Sequence, residues 1–135
     1  MRVLIADDSL AVVERLADLL KEIPGIQLVG TAQDAAEAIQ SVLKESPDAI
    51  ILDYQMPGGS GLEVLRAIRR THPSLCVLIC TNYPFPQYRE ECLAAGANYF
   101  LDKSADFDKI PQILRDLLGR SPVAPPALQL ESPPT

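Results

Sequence analysis

Ala49-Ile50-Ile51-Leu52-Asp53-Tyr54-Gln55-Met56-Pro57 is the stretch on which the reading of this chain turns. Its first four residues are apolar without interruption and rich in β-formers. A strand with one face in water alternates apolar and polar residues. An unbroken run belongs to a strand buried on both faces, as in a parallel sheet. The run stops at a carboxylate, Asp53, and a Met-Pro pair follows shortly after. Working outward, four more runs have the same character. Val3 to Ala6 and Ile26 to Gly30 precede it; Leu75 to Cys80 and Tyr99 to Leu101 follow it.

Helical spacing fills the gaps. Val12, Val13, Leu16, Leu19, Leu20 and Ile23 make one apolar face, with Ser9 in the N-cap position. A second helix is expected from Asp34, with Glu37 three residues on, and a third from Ser60, with Glu63 three residues on. Ser-x-x-Glu is the capping-box spacing, in which side chains and backbone satisfy each other at a helix start. A fourth helix is expected from about Pro86 to Ala95, stopping at Gly96. A fifth carries Ile110, Ile113, Leu114, Leu117 and Leu118 and ends at Gly119. Pro111 lacks a backbone N–H and fits only near the first turn, which favours a start at Asp108 over Asp106.

Five strand–helix pairs in strict alternation imply right-handed crossovers and a parallel sheet covered on both faces. The expected fold is α/β: a single flavodoxin-like doubly wound domain over residues 1–119, five parallel strands in the order 2-1-3-4-5 with five helices. Residues 120–135 hold five of the chain's twelve prolines and show no period. They read as a Pro-rich disordered tail or a linker stub.

Composition removes several function classes. The 135 residues carry a net charge of −6, and the longest basic cluster is Arg69-Arg70. Displacing counterions from a duplex needs clustered positive charge, so no direct nucleic-acid binding is expected. The longest apolar run is six residues, Leu75 to Cys80, where about twenty are needed to span a bilayer. Four apolar residues before Asp7-Asp8 are too few for a signal peptide. The expectation is no membrane association and a cytoplasmic location. Cys76, Cys80 and Cys92 are odd in number and form no Cys-x-x-Cys, so they read as buried thiols.

Open α/β sheets bind ligands outside the carboxyl ends of their strands. Strand 1 ends in Asp7-Asp8, strand 3 in Asp53, strand 4 in Thr81 and strand 5 in Asp102-Lys103. Carboxylates gathered on one rim raise one another's pKa unless a cation offsets them. Lys103 offsets one charge, and a hard divalent cation such as Mg2+ suits the rest. A carboxylate can attack phosphorus and form an acyl phosphate. Such transfer depends on positioning and on neutralising the three equatorial oxygens, a task for the cation, Lys103 and the Thr81 hydroxyl. Asp53, on the middle strand, is the candidate nucleophile.

With these residues in view, the chain resembles the receiver domain of two-component response regulators, from about Met1 to Gly119. The resemblance rests on Asp7-Asp8, on Leu52-Asp53-Tyr54-Gln55-Met56-Pro57 followed by Gly61, on Thr81 and on Lys103. It implies that Asp53 is the phosphoacceptor. It makes Asp8 the direct Mg2+ ligand, Asp7 a ligand partly through water, and the Gln55 backbone carbonyl a further ligand. Thr81 and Phe100 correspond to the switch pair. The implied donor is a phosphohistidine on a histidine kinase or histidine phosphotransfer protein. The implied output is a downstream protein, or a homodimer, engaging the fourth helix, fifth strand and fifth helix.

Three positions depart from the family pattern. Asn82 stands where a small residue is usual. Ser104 follows the lysine in place of a proline in a cis peptide, and Tyr83-Pro84-Phe85-Pro86 leads into the fourth helix. The expected function is a stand-alone response regulator that catalyses only its own phosphorylation and dephosphorylation. The alternatives are a receiver excised from a longer regulator, such as a transcriptional one, and a phosphorylation-independent binding module. Phosphatases and dehalogenases with an Asp nucleophile carry Asp-x-Asp; here Gln55 fills the second position and cannot act as an acid.

Overall fold

The computed structural model describes residues 1–120. Five strands alternate with five α-helices: β1 (Arg2–Ala6), α1 (Leu10–Lys21), β2 (Gln27–Ala32), α2 (Ala35–Glu45), β3 (Ala49–Asp53), α3 (Gly61–Thr71), β4 (Cys76–Thr81), α4 (Pro86–Ala94), β5 (Tyr99–Asp102) and α5 (Ile110–Leu118). The strands form one parallel sheet in the order β2-β1-β3-β4-β5. The expected topology is therefore present. From residue 121 on, the segment read as a Pro-rich tail or linker stub lies outside the described residues.

The sheet is covered on both faces because its strands are apolar on both. Leu4, Ile50, Leu52, Val77 and Ile79 point to one core, filled from α2 and α3 by Val42, Val64, Leu65 and Ile68. Val3, Ile5, Ile51, Leu78 and Cys80 point to the other, filled from α1 and α5 by Leu16, Leu20, Ile110 and Leu114. Cys76 packs against the same core as Cys80. The cysteines are free thiols, and burial pushes Cys80 up to about 12 and Cys76 up to about 11.

Helix starts follow the sequence signals. Ser9 accepts from the Val12 N–H, and Asp34 from the Glu37 N–H. Ser60 and Glu63 complete a reciprocal capping box. At Asp34 the return bond differs, because the Glu37 carboxylate reaches one residue further back, to the Gln33 N–H. Pro111 sits in the first turn of α5, after a short 3-10 turn at Phe107–Lys109. His72, which precedes Pro73, is the C-cap of α3.

Some local features differ from expectation: α5 starts at Ile110 and not at Asp108, because Phe107–Lys109 forms a 3-10 turn, and β4 starts at Cys76. β2 starts one residue late and continues to Ala32, where it pairs with Ala6. Gly58 to Ser60, expected to be only a flexible loop ahead of the third helix, form part of a small hairpin in which Gln55–Met56 pair with Gly59–Ser60, and Gly61 starts α3. Pro57 and Gly58 make its turn, and Gly58 adopts a φ of 84° that only glycine takes without cost.

Candidate functional site

Strand register assembles the site. Ala6 lies opposite Leu52, so the next residues outward, Asp7 and Asp53, share one rim. Asp53 lies opposite Cys80, and Thr81 opposite Asp102, which brings Lys103 to the same rim. The Lys103 Nζ is 2.7 Å from Asp7 Oδ2 and 3.2 Å from Asp53 Oδ1, with its side chain 9% exposed. Asp7 and Asp53 are 2% and 6% exposed, whereas Asp8 is exposed. Asp7 Oδ1 also accepts from the Ser9 N–H at 2.9 Å, so both of its oxygens are engaged. Asp53 Oδ1 accepts from the Gln55 N–H at 3.2 Å. Both Asp53 contacts fall on Oδ1, which leaves Oδ2 clear of them.

Burial, then the neighbouring Asp7 charge, raises Asp53 to about 6, against the opposing pull of Lys103. Burial also works against the Lys103 ammonium. The Asp7 hydrogen bond and the charges of both aspartates outweigh it and hold Lys103 above its ordinary value. A carboxyl whose folded pKa lies above its unfolded one favours the fold when protonated. The penalty for ionising Asp53 is absent below about pH 4 and complete above about pH 6. Asp53→Asn removes that charge with little change of shape. Without metal at pH 7 it should stabilise the fold by about 1–3 kcal/mol, a rise of several degrees in Tm. The gain should fade as the pH falls toward 4. Thermal melts in EDTA across that range check both the sign and the window.

One ligand oxygen from each of Asp7, Asp8 and Asp53 lies within 4.8 Å of the others. Three carboxylates and one ammonium leave two negative charges, and every donor is a hard oxygen. That set fits a divalent cation of the Mg2+ type. Gln55 is exposed beside Asp53, at the start of the small hairpin, which puts its backbone within the same loop.

Thr81 is buried, and its hydroxyl oxygen accepts from the Tyr83 N–H at 2.9 Å. Phe100 is 7% exposed and packs in the core on the α2–α3 face. The rim thus gathers Asp7, Asp8, Asp53, Thr81 and Lys103, while Phe100 lies inside behind it. A cleft of about 250 Å3 opens beside Lys103, lined also by Val12, Arg15, Asn82, Ser104 and Phe107.

The sequence reading missed what surrounds the lysine. Asp102 Oδ1 accepts from both the N–H and the hydroxyl of Ser104, and the hydroxyl bond foremost lowers its pKa. Asp106 Oδ2 accepts from the Asp102 N–H. Among the described residues no peptide bond is cis, so the Lys103–Ser104 bond is trans. The available signal was the kind of residue flanking Lys103, since Asp and Ser side chains readily bond nearby backbone. Also missed was an aromatic row: Tyr54 stacks on Tyr88 at 4.7 Å, Tyr88 meets Phe85 edge-on at 5.4 Å, and Phe85 stacks on Tyr83 at 6.4 Å. No helix among the described residues is long and apolar enough to cross a membrane.

Known proteins repeat this arrangement. A family model described as the response regulator receiver domain matches residues 3–115. The response regulator GacA of Pseudomonas viridiflava is 34% identical over 118 residues, which cover 85% of this chain and 54% of that one. The chain spans about half the length of the GacA relatives it matches. The receiver domain of the response regulator NarL from Mycobacterium tuberculosis superposes with a TM-score of 0.80 at 31% identity, covering 88% of this chain and 97% of that one. A CheX–CheY–BeF3–Mg2+ complex from Borrelia burgdorferi contains a chain that superposes with a TM-score of 0.81 at 27% identity, covering 89% of this chain and 90% of that one. With sheet order, acidic rim and sequence in agreement, this chain belongs to the response regulator receiver domain family.

Proposed function

We propose that this chain accepts a phosphoryl group on Asp53, in the presence of Mg2+, from a phosphohistidine on a histidine kinase or phosphotransfer protein. The observation that carries the reading is the buried Lys103 ammonium bridging Asp7 and Asp53, with exposed Asp8 alongside. In the step, Asp53 Oδ2 attacks phosphorus, a P–O bond forms, and the bond from phosphorus to the donor breaks. The electron pair leaves with the donor: the imidazole of a phosphohistidine, or acetate from acetyl phosphate. Lys103 neutralises charge on the phosphoryl oxygens and holds the other carboxylate oxygen in place. Bound Mg2+ supplies the remaining positive charge. Asp8 and Asp53 would hold it directly and Asp7 partly through water, as the resemblance implies, and the Gln55 carbonyl would add a ligand. A solved complex that contains a chain similar to this one together with BeF3 and Mg2+ supports the choice of metal.

Thr81 and Phe100 are the proposed switch pair. The Thr81 hydroxyl oxygen accepts from the Tyr83 N–H, which ties the hydroxyl to the segment before α4 and leaves its own O–H free to donate. The proposed output is a changed surface on α4, β5 and α5. Exposed Tyr83, Phe85 and Leu93 flank that surface. The partner there is a downstream protein or a second copy of the chain. The chain turns over no separate substrate in this reading, and it works in the cytoplasm. A second reading, the receiver part of a longer transcriptional regulator, is favoured by the half-length match to GacA. The chemistry at Asp53 is the same in both.

The test is intact mass after incubation with acetyl phosphate. The wild type should gain one phosphoryl group with Mg2+ and none without it, and Asp53→Asn should gain none under either condition. No gain in the wild type under any condition, with acetyl phosphate or with a histidine-phosphorylated donor, favours the phosphorylation-independent binding module instead.

A further inference from the structure

Four backbone groups of the Asp102-Lys103-Ser104 tripeptide are hydrogen-bonded, two of them to Asp side-chain oxygens. The Asp102 N–H donates to Asp106 Oδ2 at 2.9 Å, and the Asp102 carbonyl accepts from the Asp106 N–H at 2.7 Å. The Lys103 N–H donates to the Thr81 carbonyl at 2.8 Å. The Ser104 N–H and hydroxyl donate to Asp102 Oδ1 at 2.9 and 2.8 Å. Asp106 is itself held, with Oδ1 2.8 Å from the Lys109 Nζ. Asp102, Ser104 and Asp106 form none of the hydrogen bonds to Asp7 or Asp53 described above; their bonds fall within the loop that carries Lys103.

We infer that Asp102, Ser104 and Asp106 form a clasp that positions Lys103, so that its ammonium bridges Asp7 and Asp53. A lysine side chain has four flexible torsions, and its reach is set by where its Cα is fixed. Residue 104 lacks the ring that would restrict the backbone after the lysine. The loop is fixed by side-chain hydrogen bonds instead, an arrangement typical of Asp and Ser in turns. The three are positioning residues, because they act through Lys103. The part of this inference that concerns rate rests on the function proposed above.

Two readouts separate the clasp from that reading. The first needs no phosphorylation: the Lys103 ammonium signal in nitrogen-15 NMR of the metal-free protein. Held between two buried carboxylates, it should exchange slowly and be visible in the wild type. It should be lost in Asp102→Ala and in Asp106→Ala, and return in Asp102→Asn and Asp106→Asn, whose amide oxygens still accept. Both aspartates are half-buried and outside the two cores, so melting curves should show all four variants folded. The second readout is the rate of phosphorylation by acetyl phosphate at saturating Mg2+. Each alanine variant should be slower by about tenfold, as expected for a displaced catalytic group, and the asparagine variants should recover to within about twofold. Mg2+ affinity should not move. Introduced on top of Lys103→Ala, the same changes should slow the reaction no further.

A wild-type Lys103 signal in both alanine variants overturns the clasp. So does a rate loss that is undiminished in the Lys103→Ala background. A wild type that takes up no phosphoryl group overturns the proposed function instead, and the NMR result then decides the clasp by itself. Ser104→Ala, which removes a single exposed hydroxyl, guards against misfolding: a small decrease in rate with full retention of structure supports the clasp, and an increase contradicts it.

Discussion

Lys103→Ala should destabilise the metal-free protein by about 3 kcal/mol at neutral pH, because it strips the counter-charge from two buried carboxylates. Asp7 and Asp53 are 2% and 6% exposed, and the ammonium is the one cation bonded to either among the described residues. Removing one partner of a buried pair leaves the other ionised in a poorly solvating place, and here two such groups remain. Asp53 already titrates at about 6 with the lysine present, since burial and Asp7 both raise it. Without Lys103 its pKa rises further. The sign of the pH dependence follows. Protonating Asp53 removes most of the repulsion, so the deficit of the variant should be largest near pH 7 and shrink toward about pH 5. Millimolar Mg2+ should also recover part of the loss at neutral pH, by replacing the missing charge. Urea melts at two pH values, with and without Mg2+, measure all of this. An equal deficit at both pH values would mean that Lys103 stabilises by packing alone.

Gly61→Ala should have the second large effect, for a steric reason. Gly61 opens α3 directly beneath the site loop, and its N–H donates to the Tyr54 carbonyl at 2.6 Å. An added Cβ would stand 2.6 Å from the Asp53 carbonyl oxygen and 2.9 Å from the Tyr54 Cα. Both are backbone atoms, so no side chain can rotate away and the loop itself must move. Overpacking of this kind costs about 1–3 kcal/mol. The displaced segment carries Asp53, the proposed phosphoacceptor, so phosphorylation by acetyl phosphate should also slow by about tenfold or more. Gly58→Ala is the control. Its φ of 84° is strained for alanine, but nothing lies within 4 Å of the new Cβ. It should lower Tm and leave the rate close to wild type. Equal rate losses in the two variants would show that the hairpin matters only through stability.

Most of the fold was legible because its strands are apolar at nearly every position and end sharply in polar residues. Asp53 and Thr81 close β3 and β4 as read, and parallel register then fixes which side chains meet. Helices α1 and α5 announced themselves by apolar faces, and α1, α2 and α3 by capping residues. α4 did not: Cys92 is the single residue it buries, so its limits came from Pro86 and Gly96 and from no periodic face. The hairpin at Gln55–Ser60 was hidden because two-residue strands carry no period. The surroundings of Lys103 were hidden for a different reason. Asp102, Ser104 and Asp106 act by bonding to nearby backbone, and whether such bonds form depends on a loop conformation that spacing does not specify. The same holds for the aromatic row from Tyr54 to Tyr83, whose members come from two loops and a helix.

Asp53 as the sole phosphoacceptor is the central claim, and chemical trapping tests it most directly. The protein is treated with acetyl phosphate and Mg2+ and reduced with borohydride, which converts an acyl phosphate to an alcohol. Peptide sequencing by tandem mass spectrometry then finds the modified residue. The account predicts homoserine at position 53 alone, and none when Mg2+ is omitted. Homoserine at Asp7 or Asp8, or a phosphoryl group elsewhere with Asp53 unchanged, would contradict it.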